Sequence, residues 1–278
     1  MIKQITIGFS PCPNDVFMFG ALVNGLINAE GLQFEPVIED VESLNQKALN
    51  NQLDVTKLSV NAYAHVSNNY LILDSGSALG KNCGPMLISK KKRSIEEVPQ
   101  LKIAIPGKYT TANLLLSIFF PAAQNKMEMF FSDIENAVLS ESVDAGLIIH
   151  ENRFTYQQKG LLKIADMGEL WEQQTGCLLP LGSIAVKRNI ELAAAKKINR
   201  LVNKSIQFAF DNPEKIMPYV RKHAQEMSEP VMKQHINLYV NEFSLALGDS
   251  GKKAIELLLY KGKEAGLLPE IQNQIFIS

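Results

Sequence analysis

Cysteine is scarce: three residues in a chain of 278, at positions 12, 83 and 177, with no CxxC pair among them. An odd, dispersed set builds neither a disulfide framework nor a zinc knuckle, so it reads as three reduced thiols. Long apolar runs are missing too. The longest, Leu114 to Ala123, is broken by Ser117 and Pro121, and it falls short of the roughly 20 residues that a membrane helix requires. The first residues, MIKQITIGF, are too short in their apolar stretch for the core of a secretory signal. They read as a first strand, and the chain is expected in the cytoplasm. Excess charge of either sign is absent, because 28 Lys and Arg balance 29 Asp and Glu for a formal net charge of -1. That balance excludes a general nucleic-acid binder, whose affinity rests on many cationic contacts to phosphate. There are only four histidines, none in HExxH or similar spacing, so neither a metal site nor a cofactor is expected.

What is present is ordinary globular composition, 46% hydrophobic and 21% charged. The length suits one large domain or two lobes. Strand-like runs at 5–9, 32–38, 55–60, 71–73, 86–89, 101–105, 127–131, 145–149, 162–165 and 184–186 alternate with helical segments. From Asn189 to Leu268 the pattern is helical, broken at Asn212-Pro213, Ser228-Glu229-Pro230 and Gly248-Asp249. Such alternation predicts an α/β fold with largely parallel sheets. Residues 93–183 carry their own strand–helix alternation and are expected to form a second lobe. That lobe would be inserted into a first lobe of residues 1–92 and 184–278. Two crossings, near Met86–Lys90 and Ile184–Lys187, would then make a hinge over a cleft. Sites in open α/β sheets lie beyond the carboxyl ends of strands. The loops expected at the cleft are therefore 10–15, 57–61, 75–84, 107–111 and 150–156.

Each of these loops carries groups suited to chemistry. Ser10-Pro11-Cys12-Pro13-Asn14-Asp15 gathers a hydroxyl, a thiol, an amide and a carboxylate on a stretch stiffened by proline. Ser10 and Asn14 are candidate substrate contacts, and Cys12 is a nucleophile only if a base lies near it. Whether Cys12, Asn14 or Asp15 touches substrate is left open. Lys57 and Ser59 are suited to an anion, and Lys57 equally to an ion pair. Thr110 and Thr111 open a helix, where free N–H groups and the helix dipole favour a carboxylate or phosphate. His150 ends a buried strand, and its ordinary pKa suits a general base. Arg153, Phe154 and Tyr156 follow it as candidate walls for an aromatic guest. His65, His223 and His235 lie in helical context and read as structural or solvent-facing.

The same segments, in the same order, resemble the 1,4-dihydroxy-6-naphthoate synthase family. They are SPCPND at 10–15, DVESLN at 40–45, TKLS at 56–59, GSALG at 76–80, PGKYTTA at 106–112, GLIIHENRFTY at 146–156, LPLG at 179–182 and YVNEFS at 239–244. The resemblance implies a type II periplasmic-binding-protein-like α/β fold, two lobes with a cleft between them, without export. It implies a carbon-carbon lyase that splits cyclic dehypoxanthinyl futalosine to 1,4-dihydroxy-6-naphthoate on the futalosine route to menaquinone. His150 then matches the proton acceptor, and Lys57, Leu58, Ser59, Thr110 and Thr111 match substrate-contacting positions. The partner implied is a small anionic substrate. Chorismate dehydratase of the same route and a non-catalytic solute-binding protein are the alternative expectations.

Overall fold

A computed structural model describes residues 3–224 and 228–277. Its strands are β1 (Lys3–Phe9), β2 (Leu32–Ile38), β3 (Val55–Ser59), β4 (Tyr70–Ile72), β5 (Ala78–Gly80), β6 (Met86–Ser89), β7 (Ile103–Ile105), β8 (Lys126–Glu128), β9 (Ala145–Ile148), β10 (Leu162–Asp166) and β11 (Leu179–Lys187). Its helices are α1 (Pro13–Val23), α2 (Val41–Leu49), α3 (Val60–Val66), α4 (Thr111–Phe119), α5 (Ile134–Leu139), α6 (Asn152–Thr155), α7 (Met167–Thr175), α8 (Leu192–Asp211), α9 (Pro213–His223), α10 (Glu229–Tyr239), α11 (Glu242–Leu245) and α12 (Gly248–Glu264).

The strands form two sheets. One has the order β2-β1-β3-β11-β4, with β5 paired to β11, and the other β10-β6-β9-β7-β8. Strand β3 reads VTKLS and is buried at every position, as a strand covered on both faces must be. Its neighbour β1 runs parallel to it and to β2. The largely parallel sheets expected from the alternation are corrected here. Strand β11 runs antiparallel to β3, β4 and β5, and β6 runs antiparallel to β9 and β10. These are the strands nearest the passages between sheets, and they enter without the crossover helix that parallel pairing needs.

The second sheet takes in strand β6, outside residues 93–183. Met86–Ser89 pairs within the second sheet rather than the first. The first sheet resumes at Leu179, because β11 begins before the Ile184 expected for it. Pro180 conceals that start: proline breaks a strand pattern, and here it sits at the register shift between Pro180 and Gly182.

One apolar core runs between the sheets. It joins Leu58 of β3, Tyr63 of α3 and Ile72 of β4 to Leu115 of α4, Leu147 of β9 and Trp171 of α7, with Ile255, Leu258 and Leu259 of α12 packed in. A second core lies between the first sheet and helices α1, α8 and α9. The helical tail thus covers sheets built by earlier residues. Among the described residues no helix is long and apolar enough to cross a membrane.

Candidate active site

A cleft takes its walls from both sheets, as small-molecule sites commonly do where two lobes meet. All five strand-end loops contribute: Ser10, Asn14 and Asp15 from the first, Lys57 and Ser59 from the second, Ala78, Cys83 and Gly84 from the third. Thr110 and Thr111 come from the fourth, His150 and Arg153 from the fifth.

The proline loop ends with Cys12 as the residue preceding α1 and Pro13 in its first turn, where a missing N–H costs nothing. This places Asp15, 1% exposed, under four donors. Ser10 donates to Oδ2 from its N–H at 3.1 Å and its hydroxyl at 2.8 Å. Asn14 Nδ2 and Lys57 Nζ each donate to Oδ1 at 2.8 Å. The Lys57 charge is therefore already matched by a buried carboxylate. The ammonium has three donors, so two remain for a guest. Cys12 is buried and does not line the cavity. Burial, with Glu151 and Asp15 adding to it, pushes its thiol well up, so no thiolate is set up there.

Leu58 lies apart from its neighbours. Alternation along β3 sends its side chain into the core, 1% exposed, and it is not part of the cavity wall. Ser59 is in the wall, and its Oγ accepts from Asn45 Nδ2 at 3.1 Å.

Thr110 and Thr111 each hold a place in the fold. Thr110 Oγ1 caps α4, accepting from Asn113 N and donating to the Gly107 carbonyl at 2.8 Å. Thr111 Oγ1 accepts from Val60 N at 3.0 Å, the first residue of α3, and donates to the Leu181 carbonyl at 2.6 Å. One hydroxyl thus ties a helix of the second sheet to a helix and a strand of the first. The backbone N–H groups of Thr111 and Ala112 make no hydrogen bond among the described residues, and both residues line the cavity. Those two donors, with the helix dipole behind them, are suited to an anion.

His150 follows β9 with φ at +59°, a left-handed conformation that histidine adopts only occasionally. Its ring lies edge-on to Phe131 with centroids 5.0 Å apart. Burial holds its pKa down at about 4, opposed by the nearby Asp15 carboxylate, so the imidazole is unprotonated at neutral pH. Arg153 lines the wall while its guanidinium donates to the Gly84 carbonyl and pairs with Asp166 at 3.3 Å. Phe154 and Tyr156 do not line the cavity, and Tyr156 is buried beside Ile88 and Ile148.

Sequence reasoning missed Tyr239 and Leu181, which complete the wall. Tyr239 donates to the Cys83 carbonyl at 3.5 Å. Both lie in segments already singled out, at 239–244 and 179–182, but nothing local marks either side chain. Among the described residues no group of three or more His, Cys, Asp or Glu is placed to hold a metal ion.

Residues 5–264 match a family model described as menaquinone biosynthesis. The chain is 40% identical to 1,4-dihydroxy-6-naphtoate synthase of Thermus thermophilus over 99% of its length and 100% of that protein. It is 39% identical to the Streptomyces coelicolor enzyme of the same name, covering 96% of this chain and 95% of that one. Among solved structures, a protein from Archaeoglobus fulgidus superposes with a TM-score of 0.89 at 35% identity, over 95% of this chain and 98% of that one. The alkanesulfonate-binding protein of Xanthomonas axonopodis pv. citri superposes at 0.71 with 13% identity, over 99% and 96%. At that identity the likeness speaks for the fold alone, and the fold is periplasmic-binding-protein-like: two α/β lobes with a cleft between them.

Proposed function

Because the chain belongs to the menaquinone biosynthesis family, we propose that it is the lyase that splits cyclic dehypoxanthinyl futalosine to 1,4-dihydroxy-6-naphthoate, with His150 as proton acceptor. The observation that carries this reading is the His150 imidazole. It is neutral at working pH and sits in the wall of a cleft, at the end of a buried strand.

The chemistry follows from the groups at hand. His150 takes a proton from the carbon next to a substrate carbonyl. The electron pair left behind forms a ring double bond as the bond to the sugar-derived fragment breaks. The departing fragment recovers a proton from the imidazolium, and aromatisation of the ring drives the step. The naphthoate carboxylate is held by the free N–H groups of Thr111 and Ala112 at the start of α4. The two remaining Lys57 donors serve the same negative charge or the carbonyl oxygen. Ser10, Asn14, Ser59 and Arg153 complete the walls, and Leu58 supports them from the core. The substrate is a small anion, and the cytoplasm is the compartment we assign.

Incubating the purified protein with cyclic dehypoxanthinyl futalosine and, separately, with chorismate tests the reading by product chromatography. Release of 1,4-dihydroxy-6-naphthoate is expected. Turnover of chorismate alone would assign the dehydratase, and turnover of neither a binding protein. His150→Asn is expected to lower kcat by about 10²–10⁴, the usual worth of a general base. Wild-type kcat in that variant would remove His150 from the role.

A further inference from the structure

Directly behind His150 lies a second imidazole that no step above uses. His235 is 0% exposed, and neither of its ring nitrogens has a hydrogen-bond partner among the described residues. Its ring centroid is 6.2 Å from that of His150 and 4.7 Å from that of Tyr239. Tyr239 lies four positions after His235, so they share one face of α10. Tyr239 is in the cavity wall, which sets His235 one turn behind it. The rest of that buried face is apolar apart from Tyr239, with Met232 and Ile236 packed into the core of the first sheet. An aliphatic side chain would satisfy this packing without leaving two polar atoms bare.

We propose that His235 is a positioning residue for His150, accepting a hydrogen bond through one bridging water from the imidazolium formed when His150 takes the substrate's proton. The inference rests on the proton-acceptor reading of His150. It proceeds by elimination among the charged groups around that ring. Asp15 already accepts four hydrogen bonds, from Ser10, Asn14 and Lys57. Asp40 is occupied in capping α2, where it accepts from the N–H groups of Glu42 and Ser43 and from the Ser43 hydroxyl. Lys57 is a donor only. Glu151, the chain neighbour with one unpartnered oxygen, lines a separate polar pocket with Glu135 and Asn152. That leaves His235, whose neutral ring offers one lone pair and one N–H.

The two rings act as one unit that carries at most one proton. Burial and the charge of a protonated His150 both disfavour charging His235, so it serves as an acceptor and does not compete as the base. The neutral His150 ring already carries an N–H on the nitrogen that does not take the substrate's proton, and its hydrogen bond gains strength once the ring is charged. It therefore strengthens along the reaction and acts on kcat rather than on substrate binding.

The test uses the full chain carrying His235→Leu or His235→Gln, assayed on cyclic dehypoxanthinyl futalosine beside His150→Asn, with melting temperature measured for each. In the leucine variant kcat is expected to fall about 10- to 100-fold, less than for loss of the base itself, with KM within about 3-fold of wild type. Its melting temperature is expected to hold or rise, because two bare polar atoms are removed. Glutamine restores an acceptor and should recover part of kcat. Adding His235→Leu to His150→Asn should cost nothing more. Wild-type kcat in His235→Leu, a loss confined to KM, or failure of both His235 variants to fold would overturn the proposal. Activity in His150→Asn would instead overturn the premise, so the two failures are distinguishable.

Discussion

Replacing Lys57 with methionine removes an ammonium whose side chain is 7% exposed and whose Nζ lies 2.8 Å from Asp15 Oδ1. The Asp15 carboxylate, its side chain 2% exposed, then loses its counter-ion. Breaking a buried pair from one side costs about 3–5 kcal/mol, because a bare charge is left in a dry site. Three donors stay on Asp15, two from Ser10 and one from Asn14. They hold the carboxylate in part and place the expected loss near the lower limit, about 3 kcal/mol. At roughly 2–4 °C per kcal/mol for a chain of this size class, that is a drop of about 6–12 °C in Tm.

Asp15→Asn, which strands the ammonium instead, is expected to cost about 3 kcal/mol. The double variant has no unpaired charge. It should be more stable than the sum of the single losses predicts, with a coupling of about 2 kcal/mol. Urea unfolding of the four proteins, followed by circular dichroism, closes the cycle. Additive losses, with coupling below about 0.5 kcal/mol, would refute the idea that burial makes this pair interdependent.

Two further outcomes follow from the same site. The folded-state pKa of His150, about 4, lies below the ordinary value, so the folded chain binds fewer protons than the unfolded one between those limits. Stability from a neutral His150 is complete above roughly pH 6.5 and is lost as pH falls toward 4. Between pH 7.5 and 5 the wild type should lose about 2 kcal/mol more than His150→Asn, as read by denaturant titration at each pH. Parallel losses in the two proteins would contradict the burial argument. Thr111→Val leaves the Val60 N–H and the Leu181 carbonyl without their shared hydroxyl and should cost about 1–3 kcal/mol. Thr111→Ser should restore most of that, and equal unfolding midpoints for valine and wild type would remove the clamp.

The sequence revealed the location of the site more readily than the duties of its residues. Strand ends can be read from β-branched runs and from the loops that stop them, so all five cleft-facing loops were found without coordinates. A side chain's partners, by contrast, lie far along the chain. Lys57 and Asp15 are 42 positions apart, and the Thr111 hydroxyl serves groups 51 and 70 positions away. Nothing local tells a threonine that clamps two sheets from one that waits for an anion. Strand direction was hidden for the same reason, since Pro180 masks β11 and apolar runs carry no polarity. His235 is the sharpest case. On a helix of mixed residues it resembles any buried or half-exposed histidine, and only the packed structure brings its two bare nitrogens up behind His150. Local pattern therefore gives the place of a site in an α/β fold, because the strand-end rule is itself local. Which residue holds, which caps and which reacts is decided by pairings that exist only once both sheets have closed on one another.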